Sequence, residues 1–203
     1  MNIKKNKFLF WLLWILSFGI PFTIIIFPFY ETNIGPIIAW GDILDVVSPM
    51  IIPSCLLGFL LSVFQYFLVK FKFNGTQRWF FFTLIGYSFA PIFSVILIIC
   101  INGILYPDTL TTGGESFQFF PRPLSMILTG FLTGVVQKRE IQNIFKGKSQ
   151  KNIGLLWILL SALAWSLSFV VSTMFIGELR LQSIFTGLTI GFVSGILFII
   201  ADK

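Results

Sequence analysis

The side chains that could do chemistry are few. Two amides stand out, Gln65 and Gln137, because they close stretches that match in register 72 positions apart: Gly58-Phe59-Leu60-Leu61-Ser62-Val63-Phe64-Gln65 and Gly130-Phe131-Leu132-Thr133-Gly134-Val135-Val136-Gln137. A weaker third copy, Gly187-Leu188-Thr189-Ile190-Gly191-Phe192-Val193-Ser194, ends on Ser194 instead of an amide. An amide donates and accepts at once, and when buried it must find partners or cost free energy. Three uses are open: a hydrogen-bonded clamp between helices, the lining of a polar vestibule, or an amide that ends an apolar run and reaches headgroup water. The structural uses are preferred to a solute site. By symmetry both amides are expected at one depth and turned inward, bonded to each other, to a backbone carbonyl or to trapped water.

Other chemistries are largely excluded by what the chain lacks. It contains no histidine, which removes Ser-His-Asp hydrolysis, His-ligated haem and most zinc sites. Cys55 and Cys100 each sit inside an apolar run, where a lone cysteine behaves as a small hydrophobe. Asp42 and Asp45 are three apart and could bind a cation, but acids on the wet face of an interfacial helix explain them more simply. No catalytic, cofactor-binding or metal-binding residue is therefore assigned. Acids and bases are also missing from the middle of every apolar run, and proton- or ion-coupled transporters commonly place them there.

The elements that must position these residues are membrane helices. The chain of 203 residues is 56% hydrophobic and 11% charged, against roughly 25% charged in a soluble domain. The sequence predicts a single polytopic domain, an all-α bundle with spans at about 8–29, 48–69, 79–101, 121–137, 153–176 and 184–201. Lys4, Lys5 and Lys7 precede the first apolar run, which is longer than the ~7–15-residue apolar region of a signal peptide and reads as a retained helix. Residues 30–47 read equally as a short interfacial helix or as an early start to the second span. Between the fourth and fifth spans, Ile141, Ile144 and Phe145 give a basic loop a small apolar face suited to the membrane surface.

Small residues recur four apart in the spans. Gly58 pairs with Ser54 and Ser62, Gly130 with Gly134, and Gly187, Gly191 and Gly195 continue from Ser183. Such stripes let helix backbones approach closely where lipid gives little hydrophobic drive between helices. Gly191 is thus expected in a close contact, and Leu197 on lipid-facing or loosely packed surface.

With six spans and the N-terminus inside, 12 of the 14 basic residues fall in cytoplasmic segments, and only Arg122 and Arg180 lie outside. That bias sets both termini in the cytoplasm. It also explains the net charge of +6 without nucleic acid. The repeat continues past the amides: Trp79-Phe80-Phe81-Phe82-Thr83-Leu84-Ile85-Gly86 follows the first copy and Trp157-Ile158-Leu159-Leu160-Ser161-Ala162-Leu163-Ala164 the second. Leu12-Leu13-Trp14-Ile15-Leu16 in the first span equals Leu155-Leu156-Trp157-Ile158-Leu159. Three parallel-repeat helical hairpins follow, with Trp on odd spans and Gly on even spans.

In these residues the chain resembles a group of uncharacterised bacterial multi-pass membrane proteins, marked by Gly-x-x-x-Gly-x-x-Gln in one helix and Trp-x-x-x-Ser/Thr-x-x-Gly in the next. Ser62 and Ser194 depart from that pattern. The resemblance implies architecture and carries no activity. The three-hairpin plan is also that of mitochondrial carriers, but their Pro-x-Asp/Glu-x-x-Lys/Arg motif is absent. The expected function is a non-enzymatic packed module in the cell membrane. Its partners would be the bilayer and another membrane protein or a second copy. The alternative is a small transporter or channel for an apolar or weakly polar solute, which a water-filled centre reaching Gln65 and Gln137 would favour.

Overall fold

A computed structural model describes residues 6–25, 40–73, 77–105, 121–145, 150–175 and 178–201. Glu31, Asp108, Glu115, Lys146 and Lys148 lie outside the described residues, as do the side chains of Asp42, Asp45 and Arg122. Six helices account for the described chain: α1 (Lys7–Ile24), α2 (Trp40–Phe73), α3 (Gln77–Leu105), α4 (Pro121–Ile144), α5 (Gln150–Thr173) and α6 (Leu179–Ala201). All but α4 are long and apolar enough to cross a membrane.

Local chemistry sets the boundaries. Asn6 caps α1, its side-chain oxygen accepting from the Leu9 N–H at 3.0 Å, which satisfies one of the first-turn donors. α2 runs unbroken from Trp40 through Pro49 and Pro53. Trp40–Val47 is therefore continuous with the second apolar helix instead of a separate one, and the part of that helix long and apolar enough to cross a membrane is Val47–Phe73. In a bilayer a break would expose backbone groups to hydrocarbon, which continuing the helix avoids.

α4 also continues past its expected end at Gln137, to Ile144. Ile141 and Phe145 do not lie on a membrane surface: both are buried in the core. The reason lies in their spacing. Gly130, Gly134, Gln137, Ile141 and Phe145 fall on one helical face, so the turns that bury the glycines bury these side chains too.

Helices α2 to α5 pack chiefly on their neighbours in sequence, whereas α1 packs chiefly on α6 and so closes a ring. Adjacent helices run antiparallel: Gly130 of α4 lies on Ser161 of α5 and Gly134 on Ile158, while Gly187 of α6 lies on Phe22 of α1 and Gly195 on Trp11 and Trp14. The helices with glycine stretches thus alternate with the helices that carry Trp14, Trp79 and Trp157. The partner of the third glycine stretch is the first helix of the chain.

Gly58, Gly130, Gly134, Gly187 and Gly191 sit where a facing backbone comes close, whereas Gly195 meets the indoles of Trp11 and Trp14. A Cβ on Gly191 would stand 2.8 Å from Ile15 Cα and 3.0 Å from its carbonyl oxygen, and one on Gly134 would stand 2.8 Å from Ile158 Cα. Gly86 is different, since its nearest neighbour is the Thr133 methyl at 3.3 Å. Leu197, expected on loosely packed surface, is fully buried, because it shares its helical face with Ile190 and Val193. The outward faces are apolar, with Phe131 on α4, Leu159 on α5 and Phe93 on α3 exposed.

Gly191→Ala is expected to lower stability in detergent by about 1–3 kcal/mol, the usual cost of overpacking, and Gly86→Ala by less than half of that. Leu197→Ala should cost about 2–5 kcal/mol, as for a buried leucine. Thermal unfolding of the three variants checks the order.

Candidate functional site

The odd helices fill the ring centre in layers. Trp14, Trp79 and Trp157 meet one another with ring centroids 6.1, 6.3 and 6.1 Å apart. Eight residues further along each of these helices come Phe22, Tyr87 and Trp165. Trp165 lies 6.3 Å from both others, stacked on Tyr87 and edge-on to Phe22. Between the two layers stand Phe18, Thr83 and Ser161, four residues past each tryptophan, all with little or no exposure.

The even helices add layers of their own. Four positions past Gln65, Gln137 and Ser194 lie Val69, Ile141 and Phe198, all buried. Beyond them an aromatic plug closes the end of the ring that carries Lys70 and Lys138. Phe73 lies 5.5 Å from Phe145 and 5.7 Å from Phe198, and Phe10 lies 5.1 Å from Phe198. Lys72 places its Nζ 5.1 Å from the Phe10 ring centroid, within reach of a cation–π attraction.

Polar groups are threaded through these layers. The Trp157 indole N–H donates to Gln137 Oε1 at 3.2 Å, and Gln137 Nε2 donates to Thr83 Oγ1 at 3.0 Å. One amide therefore ties α5 and α3 to α4. In the third copy the Trp14 indole N–H donates to Ser194 Oγ at 3.1 Å, and Ser194 Oγ donates to the Ile190 carbonyl at 2.7 Å. Ser194, with its shorter reach, joins two helices where Gln137 joins three. The α3–α4 seam is further fastened by Ser94 and Thr129, whose hydroxyls share a bond at 2.7 Å.

Gln65 and Gln137 are both fully buried, at 0% exposure. They do not bond to each other, and the partners of Gln137 are an indole and a hydroxyl. Spacing alone could have suggested the indole, because Trp157 and Gln137 recur as Trp79 and Gln65; Thr83 belongs to a different hairpin and gave no such signal. Gln65 differs: neither amide atom has a hydrogen-bond partner among the described residues, and the same holds for Trp79 Nε1. The Tyr87 hydroxyl faces Gln65, outside regular hydrogen-bond geometry. Gly58, Gly130, Gly134, Gly187, Gly191 and Gly195 form the helix contacts around this centre.

Among the described residues no group of three or more His, Cys, Asp or Glu could hold a metal ion. Cys55 and Cys100 are free, Cys55 exposed and Cys100 half-buried. An apolar groove of about 480 Å³ opens on the outer face of α2 and α3, lined by Val63, Tyr66, Phe67, Gln77, Phe80 and Phe81. Chemically, the central arrangement can hold helices in register through its indole, amide and hydroxyl bonds. Comparison with protein-family models, with curated proteins and with solved structures gives no match.

Gln137→Leu removes two interhelical bonds and should destabilise the protein by about 1–2 kcal/mol, given the modest worth of such bonds between membrane helices. A double-mutant cycle with Trp157→Phe, read by thermal unfolding, should show coupling, because the two side chains share one bond.

Proposed function

We propose that this chain is a non-enzymatic multi-pass protein of the cell membrane, a packed helical module that serves as an accessory part of a membrane complex. The observation that carries the reading is the filled centre: three indoles in mutual contact and two buried amides occupy the axis along which a solute would have to pass. Polar networks of this kind rigidify a bundle when satisfied. The partners are the bilayer and a second membrane protein or a second copy of the chain, met through the apolar outer face. The resemblance to bacterial membrane proteins with Gly-x-x-x-Gly-x-x-Gln hairpins belongs to the same reading and supplies architecture alone.

In this reading α4 crosses the membrane as well. It is held between α3 and α5, which are long and apolar enough to cross. Its outward residues Ile127, Phe131 and Val135 are apolar and exposed. The charges that lower its hydropathy, such as Lys138 and Arg139, gather at its C-terminal end. Six crossings with both termini in the cytoplasm follow from the distribution of Lys and Arg.

Two measurements test the proposal. In a cysteine-free background, Asn74→Cys and Ser149→Cys should react with an impermeant maleimide only after permeabilisation, and Thr111→Cys in intact cells. External labelling at Asn74 would overturn the orientation. Proteoliposomes carrying the chain should pass water and glycerol no faster than protein-free liposomes, and faster passage would sink the packed-module reading.

A further inference from the structure

The three seams between hairpins are built differently. At 7, 11 and 15 positions past their central tryptophans, α3 has Gly86, Ala90 and Ser94, and α5 has Ala164, Ser168 and Ser172. At the same positions the first span has Pro21, Ile25 and Phe29, the last outside the described residues. Small side chains bring α4 against α3, with the Thr133 methyl on Gly86 and Thr129 bonded to Ser94. α1 has no such stripe, and α2 packs on it less extensively than the other neighbouring pairs in the ring pack on each other.

At the place of Thr83 this seam has no hydroxyl. Gln137 donates to Thr83, four residues past Trp79. The matching residue on α1, four past Trp14, is Phe18, which offers no acceptor. Gln65 is fully buried with both amide atoms unpartnered among the described residues, and the Trp79 indole N–H is unpartnered too. The register of α2 on α3, fixed by Gly58 on Ser88 and Tyr66 on Phe80, brings Gln65 level with Trp79. The Tyr87 hydroxyl faces the same amide. Gln65 and Trp79 are thus buried at one level of the bundle with unpartnered polar atoms, and Tyr87 is buried beside the amide; inside a protein, polar groups without protein partners are met by ordered water.

We propose that Gln65, Trp79 and Tyr87 hold one ordered water molecule beside the α1–α2 seam. Its oxygen stands in for the hydroxyl that Thr83 supplies to Gln137. It accepts from the Trp79 N–H and the Gln65 amide N–H, and donates to the Gln65 carbonyl and the Tyr87 oxygen, within the two to four bonds usual for buried water.

The test uses the full-length ¹⁵N-labelled protein in detergent, with indole signals assigned through Trp79→Phe and Trp157→Phe. The Trp79 Hε1 proton should show a cross peak at the water frequency with the sign of a long-lived bound water. Trp157 Hε1, bonded to Gln137, should show none. In Gln65→Leu the Trp79 cross peak should be lost. Its absence in the wild-type protein overturns the proposal whether or not the variant folds, and an undiminished peak in a folded Gln65→Leu protein removes Gln65 from the site. A direct Gln65–Trp79 bond would appear as a Trp79 proton with no water cross peak, like Trp157, and would equally overturn it.

Discussion

Backbone lying directly on backbone is the contact from which the rest of this structure follows. At Gly134 and Gly191 the facing helix comes so near that a methyl group would meet its Cα carbon. That approach makes the ring narrow, and in a narrow ring three inward indoles touch across the axis. Were the glycine helices held out by even one methyl group each, the tryptophans would separate, and the indole-to-amide bond of Trp157 and Gln137 would lengthen with them. Dispersion contact at the rim and hydrogen bonding at the centre are two results of one spacing.

Much of this could be read in the chain, and for identifiable reasons. Apolar runs bounded by basic residues gave the helices, and the recurrence of Gly, Gln and Trp at fixed offsets gave the alternation of two helix types. The inward direction of Gln65 and Gln137 was expected from their place seven residues after a glycine. Hydropathy misled at the end of α4, where Lys138, Arg139 and Glu140 look like the start of a loop. The helix nevertheless continues, its buried side takes in Glu140, and Ile141 and Phe145 stay in the core. The burial of Leu197 is hidden for the converse reason: a leucine in an apolar helix carries no mark of which way it faces. The hydroxyl that completes the Gln137 clamp comes from Thr83 in another hairpin, and nothing in local spacing pointed to it.

The matching stretches differ where their chemistry is most exacting. One helix pair keeps the full chain of indole, amide and hydroxyl, one shortens it to indole and serine, and one keeps the amide and indole with Phe18 in the place of the hydroxyl. The aromatic layers are more tolerant, accepting Phe22, Tyr87 and Trp165 at matching places. A ring stacks against many neighbours, whereas an amide needs a donor and an acceptor in defined directions. Shape has therefore been kept around the ring with varied residues, and polar pairing has not.

The closure of the ring by α1 on α6 has a consequence in time. Trp14 and Ser194, which bond to each other, are 180 residues apart in sequence, so the first helix made waits for the last. At about 5–20 residues per second, that interval is on the order of ten to forty seconds. Throughout it, the face of α1 that will receive Gly187, Gly191 and Gly195 stands without its partner, while α2 to α5 can already assemble. Until then the helices form an open arc with the Trp14 indole donor on α1 uncovered, and α1 can dock only once Gly187, Gly191 and Gly195 have been made.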